Sequence, residues 1–213
     1  MDYDQARQRM VEEQLVSRGI HDVRVLRAMA KVPRHLFLER KLWNRAYEDH
    51  PLPIGSNQTI SQPYMVALMV EALELTGPER VLEIGTGSAY AAAVLGELCA
   101  EVLTIETVEE LAWRARARLS SLGYRNVSVL TGDGTLGWEE KSPYDAVVIS
   151  AAAPCIPRPL IEQLKTPGYL VFPMGEKELQ VLVRIRKDEA GIREQYLGEC
   201  HFVKLTGAYG WEE

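Results

Sequence analysis

The chain predicts an open α/β fold, in which a mostly parallel, doubly wound sheet ends in an antiparallel hairpin and carries an N-terminal helical extension. Three observations support it. Short apolar runs alternate with helix-like segments from residue 63 onward, as when buried strands are joined by crossover helices. Glycines and prolines punctuate the ends of those runs. Two alternating segments, LQVLVRIRK and IREQYLGECHFVKL, flank EAG and read as the closing hairpin.

Taken in order, residues 1–50 hold little strand signal, and Val11, Leu15, Ile20, Val23, Leu26, Met29 and Ala30 recur at helical spacing. Val32-Pro33 ends the second helix. PYMVALMVEALEL is a helix with Pro63 in its first turn. RVLEIG is a buried strand, SAYAAAVLGELCA an Ala-rich helix and EVLTIE a second strand. VEELAWRARARLSSLG is a helix with Glu109 and Glu110 complementing its dipole and Gly123 at its C-terminal cap. NVSVLTGDG, YDAVVISAAAP and GYLVFPMG are further strands, and IPRPLIEQL is the helix before the last of them. Residues 1–213 read as one domain, with 1–62 a helical cap and substrate loop and 63–213 the cofactor-binding core.

The totals narrow the function. Of 213 residues, 46% are apolar and 25% charged, and the net charge of −6 argues against a nucleic-acid partner. No stretch approaches the roughly 20 apolar residues of a membrane helix, and the charged N-terminus has no apolar signal core. A cytoplasmic location is expected. Cys99, Cys155 and Cys200 form no CxxC pair and read as reduced, mostly buried thiols. His21, His35, His50 and His201 make no chelating pattern, so no metal is expected.

In such folds ligands sit at the carboxyl ends of the strands, near the first strand-to-helix turn. Here the turn is Glu83-Ile84-Gly85-Thr86-Gly87-Ser88-Ala89-Tyr90. Gly85 and Gly87 permit positive φ and a close backbone approach. A dinucleotide fingerprint would place its third glycine at Tyr90, whose ring crowds that packing, and no Walker loop is present. An acidic residue opening a GxG turn, with a second acid ending the next strand, suits an adenosylmethionine cofactor. The second acid is Glu106, able to accept from both ribose hydroxyls. Asp133 and Gly134 follow the third strand, where a carboxylate can accept from an adenine amine. Asp145 reads as structural.

Just ahead of the first strand lies PLPIGSNQTISQP, residues 51–63. Pro51, Pro53 and Pro63 stiffen it, and Thr59 and Ser61 offer hydroxyls. We read it as a loop that presents the substrate, with Ser61 positioning the acceptor or capping the following helix.

These residues resemble the protein-L-isoaspartate (D-aspartate) O-methyltransferase family. The resemblance is carried by Val32-Pro33-Arg34, Pro53-Ile54-Gly55, Gln58 through Pro63, Val81 through Ser88, Gly132-Asp133-Gly134, Tyr144-Asp145-Ala146 and Ala151 through Pro154. QTISQP and YDAVVISAAAP are its specific elements; the glycine turn is shared by many methyltransferases. The resemblance implies a Rossmann-like class I methyltransferase fold and S-adenosyl-L-methionine as cofactor, with S-adenosyl-L-homocysteine as product. It implies methyl esterification of the α-carboxylate of L-isoaspartyl residues in damaged proteins and peptides. Separately, a monomer with no membrane partner is expected. It puts the active-site serine on Ser61. Cofactor contacts fall on Gln58, Thr59, Ile60, Ser61, Glu83, Gly85, Gly87, Ser88, Glu106, Thr107, Asp133, Gly134 and Thr206. Substrate contacts fall on Thr59, Ser61, Ala151, Phe202 and Val203, where an extended peptide would pair with the C-terminal strand edge. Ala89 stands where the family usually has glycine, tolerable if its φ is negative. Ala91 replaces a common glutamine and Lys204 a common proline.

Overall fold

Asp2 opens the first helix, its carboxylate accepting from the amides of Asp4 and Gln5 at 3.0 and 3.1 Å. In the computed structural model, which describes residues 2–176 and 179–211, helix α1 spans Tyr3–Met10. The helical path widens over Val11–Leu15, tightens over Val16–Arg18 and ends at Gly19, with φ +93°. Helix α2 (Val23–Lys31) stops at Val32, where the following proline disfavours further helix. Only short 3-10 turns follow, at Arg34–Phe37 and Arg40–Arg45.

The next segment corrects the sequence reading: much of 51–63 is a hairpin rather than a loop. Strand β1 (Leu52–Gly55) pairs antiparallel with β2 (Gln58–Ile60). Ser56 and Asn57 turn between them at φ +51° and +56°, the left-handed pair whose twist matches the flanking strands. The signal was muted because serine and asparagine replace the usual Asn-Gly. Helix α3 follows at Pro63–Glu71, shorter than the periodicity suggested, with Gln62 as its N-cap residue.

The main sheet has seven strands. β3 (Arg80–Ile84), β4 (Glu101–Glu106), β5 (Val127–Thr131), β6 (Tyr144–Ile149) and β7 (Leu164–Glu176) run parallel in the order β5-β4-β3-β6-β7. β8 (Leu179–Asp188) and β9 (Gly191–Cys200) continue it antiparallel. Helices α4 (Tyr90–Gly96), α5 (Glu109–Ser121) and α6 (Arg158–Glu162) lie between the parallel strands in the chain. β9 is shorter than expected. The chain leaves the sheet at Cys200 and returns so that Lys204 bridges in parallel to Ala152.

Alternation along the strands divides the core. Val81, Val102, Ala146, Val148 and Val171 face a large cluster shared with α3, α4, α5 and the N-terminal cap. Leu82, Leu103, Val147, Ile149 and Phe172 face a smaller one with Leu160 of α6 and Leu205. Tyr90 stitches cap to core. Its buried ring packs edge-on against Phe37 at 5.5 Å, and the buried Arg34 guanidinium lies 4.9 Å from its centroid. The thiol reading needs one correction: Cys99 is buried, Cys200 half-buried and Cys155 exposed, and all three are free. Among the described residues no helix is long and apolar enough to cross a membrane.

Candidate functional site

The strand order reverses between β3 and β6, and the turn after β3 opens there. Gly85 and Gly87 have φ +89° and +52°, conformations that L side chains rarely adopt. The Gly85 amide donates to Ile105 O at 2.8 Å, tying the turn to β4. Ala89 departs from expectation, because its φ is +70° at the cap of α4. A methyl-bearing residue is held left-handed there, at a cost of roughly 1–2 kcal/mol.

Two carboxylates flank this turn in different surroundings. Glu106, 5% exposed, accepts from the Gly87 amide through Oε2 at 2.7 Å and from the Val108 amide through Oε1 at 3.0 Å. Each oxygen keeps a lone pair for a ligand hydroxyl. Glu83 is fully buried beside its register partner Thr104, whose hydroxyl donates to Glu83 Oε2 at 2.6 Å. Thr86 lies behind Thr104 at 2.7 Å between hydroxyls. Glu83 Oε1 has no partner among the described residues. Burial, with a smaller contribution from the Glu106 charge, pushes the Glu83 carboxyl up to about 8. Burial thus favours the protonated form of the acid facing the inner cavity, and a cation placed beside it would favour the ionised one.

The hairpin leans over this turn. A methyl group added at Gly87 would lie 3.4 Å from Ile54 Cδ1. Ile60 is buried at 3% exposure, which leaves Thr59 and Ser61 together on the opposite side of an extended chain. Ser61 is not the helix cap, since Gln62 occupies that position and makes no side-chain capping bond. The Gln62 amide nitrogen instead donates to Asp49, at 3.1 Å to the backbone oxygen and 2.8 Å to Oδ2. Arg18 pairs with the same carboxylate at 2.7 Å and stacks 3.5 Å over the Tyr64 ring.

Two adjoining cavities meet here. The inner one is lined by Gln58, Thr59, Ile60 and Ser61, by Glu83, Gly85, Gly87 and Ser88, by Glu106 and Thr107, and by Gly134, Ala151, Val203 and Thr206. The outer, wider one is lined by Tyr64, Met65 and Leu68 of α3, by Leu182 and Leu197, and by residues 198–204. Gln58, Thr59, Ser61, Ser150, Val203, Lys204 and Thr206 border both.

Two expected site residues, Asp133 and Ala151, lie elsewhere than the sequence suggested. Asp133 borders neither cavity. Its Oδ1 caps Thr135 at 2.9 Å and its Oδ2 accepts from the Ala208 amide at 2.8 Å, so Gly134 alone reaches the wall. Ala151 borders the inner cavity only and Phe202 the outer only. The Phe202 amide donates to Gln180 Oε1 at 2.7 Å and its carbonyl accepts from Gln180 Nε2 at 3.1 Å, so it has no edge to offer a peptide. Val203 O and Leu205 N are bonded to Ala152, which leaves the N–H and C=O of Lys204 on the other side. Ser150 and Tyr64 were missed. Ser150 carried a signal in its place just past the end of β6; Tyr64 carried none, being one aromatic within an apolar helix.

The family model described as protein-L-isoaspartate(D-aspartate) O-methyltransferase matches residues 5–210. The chain is 54% identical to protein-L-isoaspartate O-methyltransferase 1 of Syntrophobacter fumaroxidans, covering 100% of this chain and 99% of the relative. It is 56% identical to the protein-L-isoaspartate O-methyltransferase of Geobacter metallireducens, covering 99% and 98%. Among solved structures, a protein-L-isoaspartate O-methyltransferase superposes with TM-score 0.87 at 29% identity, over 96% of this chain and 67% of that one. A Plasmodium falciparum protein described as a protein-L-isoaspartate O-methyltransferase, in complex with S-adenosyl-L-homocysteine, superposes with TM-score 0.81 at 25% identity, over 94% and 98%.

Proposed function

Because the chain belongs to the protein-L-isoaspartate(D-aspartate) O-methyltransferase family, we propose that it transfers a methyl group from S-adenosylmethionine to the α-carboxylate of L-isoaspartyl residues in proteins and peptides, beginning their repair. One observation carries the reading: a polar inner cavity and a wide outer cavity share a wall that bears the Thr59 and Ser61 hydroxyls. A donor in the first and an acceptor in the second would meet across those side chains.

The inner cavity suits S-adenosylmethionine on chemical grounds. Glu106 keeps free lone pairs for ribose hydroxyls, and the unpartnered Glu83 oxygen gives a cationic ligand a counter-charge once ionised. Gly85, Gly87, Ser88, Thr107, Gly134 and Thr206 supply the rest of the cradle. Asp133 would meet the adenine amine only through the Oδ2 lone pair that Ala208 leaves free. When bound, this cofactor supplies a methyl group activated by a sulfonium.

The protein's own work is positioning. The acceptor carboxylate is ionised near pH 7, its ordinary pKa being about 4, so no general base is required. Ser61 and Thr59 donate hydrogen bonds that aim it, Thr59 from the hairpin strand and Ser61 from the residue just past it. Holding reacting atoms in line can supply up to roughly 7–11 kcal/mol. The Lys204 peptide group offers a substrate backbone one N–H and one C=O. Three free thiols fit a reducing compartment such as the cytoplasm, and we read the protein as a monomer.

The test is labelled methyl transfer to one synthetic peptide in its isoaspartyl and normal aspartyl forms. Only the isoaspartyl form is expected to take label. Equal labelling of both, or transfer to a free carboxylic acid alone, would overturn the reading.

A further inference from the structure

We propose that Lys204 sets substrate specificity: its ammonium selects isoaspartyl peptides that carry an acidic side chain next to the isoaspartyl residue. The inference rests on the carboxyl methylation proposed above and names the preferred class of acceptor.

Lys204 borders both cavities, on the wall they share. Its backbone is pinned, because Val203 O and Leu205 N bond Ala152 at 2.8 and 2.9 Å. The tip of the side chain is also placed. Nζ lies 5.1 Å from the centroid of the Trp211 ring. That ring is fixed in turn, its indole N–H donating to Ala152 O at 2.9 Å and its amide to Leu205 O at 2.9 Å. The exposed ammonium thus rests against an aromatic ring that borders neither cavity, and among the described residues it makes no ion pair.

The contrast with Arg18 gives this its meaning. Among the described residues Arg18 is the other Lys or Arg side chain bordering the cavities, and its charge is met by Asp49 and its face by Tyr64. An incoming anion would have to compete with Asp49 for Arg18, whereas among the described residues it displaces no carboxylate from Lys204. The acceptor carboxylate is a poor partner for this ammonium, since pairing would draw away the electron density it needs to attack a methyl group. A second carboxylate on the same peptide is the productive partner. Glu199 borders the outer cavity only, so the shared wall carries the cation and the outer wall an anion.

The experiment compares kcat/KM for two isoaspartyl peptides that differ only in Glu or Gln after the isoaspartyl residue. For the wild type the Glu peptide is expected to be favoured about three- to fivefold. The ratio should fall to about one in Lys204→Met, survive in Lys204→Arg, and shrink between about 50 and 500 mM salt. Because each ratio is taken within one preparation, partial misfolding of a variant cancels. A wild-type ratio of one, or the same ratio in Lys204→Met, overturns the proposal while leaving carboxyl methylation standing. No turnover of either peptide by the wild type overturns both.

Discussion

The inner and outer cavities are built in different ways. Much of the inner wall comes from short contiguous stretches at the carboxyl ends of parallel strands, such as Glu83 to Ser88 and Glu106 to Thr107. Backbone bonds fix their geometry, including Gly85 N to Ile105 O and Gly132 N to Glu106 O at 3.0 Å. The outer wall is gathered from the hairpin, α3, β8, β9 and the segment returning to Ala152. Its crossings are held by side chains: Gln180 holds Phe202, and Asp49 holds Gln62. A wall made of strand ends is positioned by the sheet itself. A wall made of crossings is positioned by individual side chains, and is where substrate preference can change without disturbing the cofactor.

Glu106→Ala should test the inner wall most severely. It removes two charge-assisted bonds to backbone amides, each worth about 1.5–3 kcal/mol, together with the proposed ribose acceptor. Calorimetric affinity for S-adenosylhomocysteine should fall about 30-fold or more; a loss under about threefold would put the adenosyl group elsewhere. Ser61→Ala probes the shared wall. It should lower kcat/KM about tenfold, the equivalent of one hydrogen bond, and leave S-adenosylhomocysteine affinity nearly intact. Parallel losses in both quantities would erase the distinction between the cavities.

Glu83→Gln sharpens the electrostatic half of the comparison. The folded carboxyl titrates at about 8 against an ordinary 4.5. Between those values the unfolded chain has lost a proton that the native protein retains, so this group's contribution to stability falls as pH rises, by up to about 1.4 kcal/mol per pH unit. Urea titrations at pH 5.5 and 7.5 should show the variant gaining on the wild type at the higher pH. An unchanged difference would mean that Glu83 is already ionised. The smallest effect is expected for Ala89→Gly. Relief of the left-handed alanine, less the added entropy of the unfolded chain, leaves about 0.5–1 kcal/mol of stabilisation. That is a rise in Tm of about 1–4 °C, and a fall would show that buried methyl packing outweighs the strain.

Much of the inner site was legible, because its signals are local. Two glycines one and three residues past the end of a buried strand, an acid at the next strand's end and the QTIS stretch each sit within a few positions of their structural cause. The failures are also specific. Ser56-Asn57 hid a hairpin because the turn lacks its usual glycine. The alternation of residues 192–205 ran past Cys200, although the chain there exchanges one strand partner for another. Asp133 looked like a ligand contact, and the Ala208 amide from the far end of the chain takes part of its capacity.

The sequence alone determined the alternating parallel sheet, its glycine turn and the acids at the strand ends. Period, chirality and strand-end placement follow from backbone sterics and hydrogen bonding over a few residues. Only the tertiary structure decided that Glu83 is held well above the ordinary carboxylate range, that Ala89 is left-handed, and that Thr59, Ser61, Ser150 and Lys204 border one shared wall. Burial, backbone strain and contacts across more than a hundred residues arise when segments pack together, and no short window of sequence contains them.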